Sequence, residues 1–296
     1  MRLFTPVCLM CLFLFYGMNS TFAQSLACTN PTTPTAAELQ QGLIAHWAFD
    51  GQTNDAVGPN NGTIIGTGFN YTDARYGKGI DLDGGNTYIN VGNDANLDRT
   101  GQSITIAGWF RVDGFTDAWH ALISKGENDN FRIHRHSFTD NLAYVGGSPD
   151  VQTTQNINDG QFHHIVAITE DGNHKSVYID GVLANSSNMG TSITDTGADL
   201  FIGNNPNVPN REWNGVIDDM AIWNRALEPC QATYLYSSGR SINALLNPSL
   251  EEEEEEEEGV VMEPIPTLSS WGLLTFGLLI LNLGVWLLYR IENIHL

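Results

Sequence analysis

Carboxylates and amides crowd the turns at both ends of the central sequence. Asp50, Asn54, Asp55, Asn60 and Asn61 stand near its start, and Asp218 and Asp219 near its end. A hard divalent cation takes about six to eight oxygen ligands from such side chains and from backbone carbonyls. These turns therefore carry the donor chemistry of a calcium site, although the same residues also close and cap turns unaided. His134 and His136, at i and i+2, would share one strand face and suit a transition metal. Without a third ligand in view, packing and surface roles are favoured for them. Glycoside hydrolysis needs two carboxylates roughly 5 to 9 Å apart. The nearest approach is Glu127-Asn128-Asp129 followed by Asn130-Phe131-Arg132, in a turn rich in Gly and Asn. Aromatic rings offer a platform for a pyranose face. Trp119, His120, Phe138, Tyr144 and Trp213 fall in or beside expected loops, and Trp119, Tyr144 and Trp213 are the candidate ligand contacts. Burial under a loop is the alternative for each, whereas Trp47, Trp109 and Trp223 read as core.

The elements that must position these residues are strands. From Gly42 to about Arg240 the chain runs in short alternating segments separated by Gly, Asn and Asp. Over 103–112, Ile104, Ile106, Phe110 and Val112 fall on one face, because successive strand side chains point oppositely. Asp180-Gly181 joins two such runs as a hairpin turn. His163–Thr169 and Leu200–Gly203 read as further strands, with His163 and His164 on one of them. Helical periodicity is nearly absent, apart from one short helix within Arg225–Ser237. About 200 residues of short strands predict an all-β, two-sheet sandwich. Residues 24–39, rich in Thr and Pro, read as an exposed leader.

Charge and the two ends set the class. Among 296 residues, 34 are Asp or Glu and 13 Lys or Arg, a formal charge of -21. That excludes a generic nucleic-acid binder, which needs clustered cations. Arg2, the apolar Leu3–Met18 and the small residues before Ala23 predict a signal peptide, 1–23. Cys8 and Cys11 would leave with it, so that Cys28 and Cys230 form a candidate disulfide closing the whole domain; two unpaired thiols are the alternative. Residues 241–263 form an acidic linker containing the uninterrupted run Glu251–Glu258, whose like charges repel and extend. Trp271–Tyr289 is apolar and, as a helix, about 28 Å long, close to the ~30 Å hydrocarbon core of a bilayer. Arg290 follows as a cytoplasmic flank, leaving 291–296 as a short tail. One C-terminal transmembrane helix with the globular part outside is the expectation.

Two resemblances emerge from these residues. Ile265-Pro266-Thr267-Leu268 and Trp271-Gly272, followed by the apolar run and a basic residue, resemble the IPTL-CTERM class of bacterial sorting signals, over 264–290. The resemblance implies recognition by an exosortase-type transpeptidase in a Gram-negative envelope and delivery to the cell surface. Ser270, where an acid is common, and a single terminal arginine depart from the pattern. The ordered series Gly42–Gly51, Asn61-Gly62-Thr63, Tyr76–Gly84, Tyr88–Val91, Ile106–Phe110, Leu122–Gly126, Phe162–Ala167, Tyr178–Gly181, Phe201-Ile202-Gly203 and Asn214–Leu227 resembles a laminin-G-like domain of the concanavalin A-like lectin/glucanase superfamily, over 40–240.

That second resemblance implies an antiparallel jelly roll whose first and last strands are neighbours. Asp50, Asp55 and Asp218 would then meet as ligands of a structural Ca²⁺, helped by backbone carbonyls around Asn61-Gly62. Glucanases of the superfamily carry Glu-x-Asp-x-x-Glu on one strand; here Arg132 stands where the last acid belongs, which argues against an enzyme. The reading is an exported, surface-directed binding or adhesion module for a glycan or an extracellular or matrix protein. A structural envelope or biofilm-matrix protein is the alternative, and a carbohydrate-active enzyme the third.

Overall fold

The computed structural model describes residues 33–127 and 130–248, all within one compact unit that ends at Pro248. Among these residues, fifteen strands form two antiparallel sheets. The larger contains β1 (Leu43–Trp47), β3 (Phe69–Asp73), β4 (Lys78–Asp83), β6 (Ile104–Arg111), β11 (Phe162–Glu170), β12 (His174–Ile179), β13 (Val182–Ser187) and β15 (Asn214–Trp223). Its order is β13-β12-β11-β6-β15-β4-β3, with β1 also paired to β15. The smaller contains β2 (Thr63–Ile65), β5 (Tyr88–Gly92), β7 (Ala121–Ser124), β8 (Phe131–Arg135), β9 (Leu142–Gly146), β10 (Val151–Gln152) and β14 (Leu200–Ile202), in the order β10-β9-β8-β7-β14-β5-β2. The expected two-sheet sandwich is therefore the observed architecture, and β1 and β15 are neighbours.

Strand alternation explains the core. Ile104, Ile106, Phe110 and Val112 point between the sheets, where they meet Ile133, Leu142, Ile202, Ile217 and Ile222. Gly108 lies on the same side, and a Cβ there would stand 2.0 Å from Met220 Sδ, so any larger residue would have to displace the Met220 side chain. The hairpin between β12 and β13 turns on Asp180 and Gly181, both at positive φ, as its Asp-Gly sequence requires.

The other face of the larger sheet is also covered. Helices α1 (Ala36–Gln40), α2 (Pro229–Ser237) and α3 (Ile242–Leu246) bury a second apolar layer of Leu39, Val166, Ile168, Tyr178, Trp223, Leu235 and Leu245. Trp223 and Trp109 are buried as expected, but on this outer face rather than between the sheets. The end of the leader is a correction to the sequence reading. Thr35 and Glu38 form a capping box that starts α1. Leu39 is buried, and the Trp223 indole donates to its carbonyl at 2.7 Å. The domain thus extends beyond 40–240 at both ends, because the apolar outer face must be covered. No helix among the described residues is long and apolar enough to cross a membrane. The signal peptide, the poly-Glu run, the sorting motif and the expected span at 271–289 lie outside the described residues.

Candidate binding groove

A concavity opens on the helix-covered face of the larger sheet, with a volume of about 360 Å³. Its floor is the outer side of the β11–β12 hairpin, where Ile168, Ser176 and Tyr178 point away from the core. One wall is the segment Ala226–Pro229 leading into α2, and the rim carries Glu170 and Asp171 from the hairpin tip, Asn188 and Glu228. Local bonds fix that wall. The Thr105 hydroxyl donates to the Arg225 carbonyl at 2.8 Å and accepts the Leu227 N–H at 3.0 Å, which pins 225–227 to β6. Gln231 accepts the Glu228 N–H at 3.1 Å and an Arg225 guanidinium N–H at 2.9 Å.

The lining is amphipathic. Ala226 and Pro229 give a part-exposed apolar side above the buried Ile168, Leu227 and Tyr178, and burial pushes the Tyr178 phenol up to about 12. Glu170, Asp171, Asn188 and Glu228 are exposed acceptors opposite it. Lys175 also lines the groove, but its ammonium is buried and turned into the carbonyls of Gly147, at 2.8 Å, and Pro149. Its burial draws the pKa down. Nothing local in the sequence marks these residues. Exposed acids at a hairpin tip and at a helix N-cap are commonplace, and only the packing of α2 on β11 and β12 brings them together.

The aromatic candidates divide. Tyr144 and Trp213 are corrections, for both are fully buried between the sheets. Tyr144 shares a 2.8 Å hydrogen bond with Thr169, and burial raises its pKa; Trp213 packs edge-on against Phe110 and Phe115. Neither ring can stack on a ligand. Trp119 is half-buried at positive φ, beside His134 at 5.5 Å and His136 at 5.3 Å between ring centroids. Near them Arg132 pairs with Glu127, which also accepts from Asn205. Glu127 is thus committed to an ion pair, and Asp129 lies outside the described residues. His134 is buried with its pKa well below the usual histidine value, chiefly by desolvation. Among the described residues, no three His, Cys, Asp or Glu side chains gather as a metal centre.

The three expected calcium ligands do not converge either. Asp55 organises its own loop, accepting N–H groups from His46, Val57 and Asn60 at 2.9–3.1 Å and the Asn60 amide at 3.0 Å. Four donors fill its carboxylate, which removes it as a ligand. Asp50 and Asp218 instead flank the turn at 75–78, accepting from Lys78 N at 2.7 Å and from Tyr76 N at 3.0 Å. Asp218 is fully buried, and its Oδ1 has no partner. Desolvation, then the charge of Asp219, raises it to about 8.

Next to it Asp219 pairs with buried His46 at 2.6 Å and accepts the Ile242 N–H at 2.7 Å, tying α3 to β15. The sequence reading passed over this pair, whose visible signal was the Asp218-Asp219 doublet inside a strand. Of the two adjacent histidines, His164 is buried and held down to about 4 by desolvation. His163 is half-buried between Asp180 and Asp159, whose hydrogen bonds raise its pKa. Cys230, in α2, is disulfide-bonded, and its expected partner Cys28 lies outside the described residues.

A family model described as Laminin_G_3, concanavalin A-like lectin/glucanases superfamily, matches residues 83–233, just over half of the chain. A stretch of 150 residues, 46% of the chain, is 29% identical to the rat (Rattus norvegicus) sushi, von Willebrand factor type A, EGF and pentraxin domain-containing protein 1, of which it spans 4%. Among solved structures, domain 4 of AbnA, a GH43 extracellular arabinanase from Geobacillus stearothermophilus in complex with arabinotriose, is similar at a TM-score of 0.54 and 24% identity. That likeness covers 66% of this chain and 98% of that one. The binding domain of Paraclostridial Mosquitocidal Protein 1 aligns at 0.57 and 19% identity, over 68% of this chain and 53% of that one. A botulinum neurotoxin type C structure, described with two ganglioside molecules, aligns at 0.53 and 13% identity, over 70% and 53%. The chain thus spans about half the length of these toxin chains, and the likeness is one of fold.

Proposed function

The chain belongs to the Laminin_G_3 family of the concanavalin A-like lectin/glucanases superfamily, and from that membership we propose that it is a non-catalytic module that binds a glycan in the groove over the larger sheet. The amphipathic lining of that groove carries the reading. A pyranose has an apolar C–H face and a rim of hydroxyls, and the groove sets Ala226 and Pro229, above the buried Ile168, Leu227 and Tyr178, against Glu170, Asp171, Asn188 and Glu228. Arabinotriose and gangliosides, named with two of the structural neighbours, are saccharide-bearing ligands of those proteins. A glycan array probed with the purified chain tests the reading. Binding to a related set of glycans, weakened by filling the groove with Ala226→Trp, supports it. A blank array with folded protein contradicts it and leaves an extracellular protein partner or a structural matrix role. Product release from polysaccharides would contradict the non-catalytic part.

The setting completes the proposal. The chain is exported by its signal peptide, closed by a Cys28–Cys230 disulfide, and held to the membrane by 271–289 until an exosortase-type enzyme passes it to the surface of a Gram-negative cell. Mass spectrometry of the exported protein under non-reducing conditions checks this part. An intact N-terminus, or both cysteines as free thiols, overturns it. Structural calcium belongs to the proposal in a reduced form. Asp218, with its buried and unpartnered Oδ1, and Asp50 are the residues that would hold it, without Asp55.

A further inference from the structure

We infer that the groove selects saccharides bearing free amino groups and rejects acidic ones, an inference that rests on the glycan reading above. The charges facing the cavity are unbalanced. Glu170, Asp171 and Glu228 are exposed on its rim. The cations near them are spent elsewhere. Lys175 directs its buried ammonium to the Gly147 and Pro149 carbonyls. Arg225, behind the wall, directs its guanidinium to the carbonyls of Gln41, Glu38 and Ala226 and to Gln231. His174 is the remaining basic group in the lining, and it stands cross-strand from Glu170. A uronate or sialate carboxylate would enter against three acids with no uncommitted Lys or Arg among the described lining residues to receive it, and like charges at contact oppose binding. An ammonium on a 2-amino-2-deoxy sugar meets exposed carboxylates, while its ring keeps the apolar contact with Ala226 and Pro229.

The test compares three probes on the full chain by titration calorimetry: a glucosamine oligomer, its N-acetylated counterpart and a galacturonate oligomer. The free-amine oligomer binds about three- to tenfold tighter than the N-acetylated one at low salt, as expected for a few solvent-exposed charge contacts. The advantage shrinks as salt screens it, and the galacturonate does not bind. A double variant, Glu170→Gln with Asp171→Asn, changes two exposed side chains, and Asn tolerates the positive φ of Asp171. With Glu228 left in place it narrows the preference, so that the affinity ratio of the free-amine to the N-acetylated oligomer falls toward one. Equal or tighter binding of the N-acetylated or acidic oligomer overturns the charge selection and leaves the glycan reading standing. An undiminished amine preference in the double variant also overturns it, since Glu170 and Asp171 would then contribute nothing to the selection. No binding by any of the three, with a blank array, overturns the glycan reading and this inference together.

Discussion

Residue types announced chemistry at several positions, and burial decided which of them keep it. Trp213 and Tyr144 carried the right rings for a sugar, yet both are enclosed between the sheets. Trp213→Ala is expected to cost about 3–5 kcal/mol of stability, the usual penalty for emptying a core tryptophan site, with glycan affinity per folded molecule unchanged. Chemical denaturation together with calorimetry checks both halves. Loss of binding at intact stability would return Trp213 to the ligand site. Asp218 makes the opposite case, since burial gives an ordinary strand acid an unusual titration. Its folded pKa of about 8 lies above the unfolded value near 4. Its contribution is therefore fully present below about pH 4 and lost as pH rises through about 8. Without calcium, the chain is expected to lose thermal stability over that window, and Asp218→Asn to lose less. Added Ca²⁺ should raise the alkaline-side midpoint of the parent and not of the variant. Identical pH curves for the two proteins, or no response to Ca²⁺, contradict the assignment.

Elements were more legible than sites, and for a physical reason. The alternation of Ile104, Ile106, Phe110 and Val112 and the Asp180-Gly181 turn are local signals, and both appear as read. Burial of a sheet's second face is not local. Nothing around Leu39 marks it as a plug for the outer layer, because its partner Trp223 lies at the far end of the domain. The groove is hidden in the sequence for the same reason, its walls coming from β11, β12 and the entry to α2. His134 and His136 do sit side by side with Trp119, but His134 is enclosed and paired within the protein, so a pattern suited to a metal serves packing. Thr105 joins β6 to the groove wall through both hydroxyl bonds. Thr105→Val keeps the shape and removes those bonds, leaving the buried Leu227 N–H unpaired at a cost of about 1–3 kcal/mol. Glycan affinity should fall with it through the displaced wall. Unchanged affinity in the folded variant would separate the wall from binding.

For the whole molecule, the two apolar layers explain why one sheet face is closed by helices and still keeps a concavity at their edge. The acidic balance of the chain, -21 in all, disfavours polyanionic partners by long-range repulsion, and the acids on the groove rim act in the same direction at contact. The family supplies the sandwich, and fold alone leaves the ligand open. The groove is what makes a glycan the reading to test. Titration calorimetry of the folded chain with the glycan set found by array, beside Ala226→Trp, tests that claim most directly. Saturable binding in the parent that falls at least about tenfold in the filled-groove variant, a loss of roughly 1.4 kcal/mol, is the result expected. Equal affinity in the two proteins would place the ligand elsewhere and contradict the account.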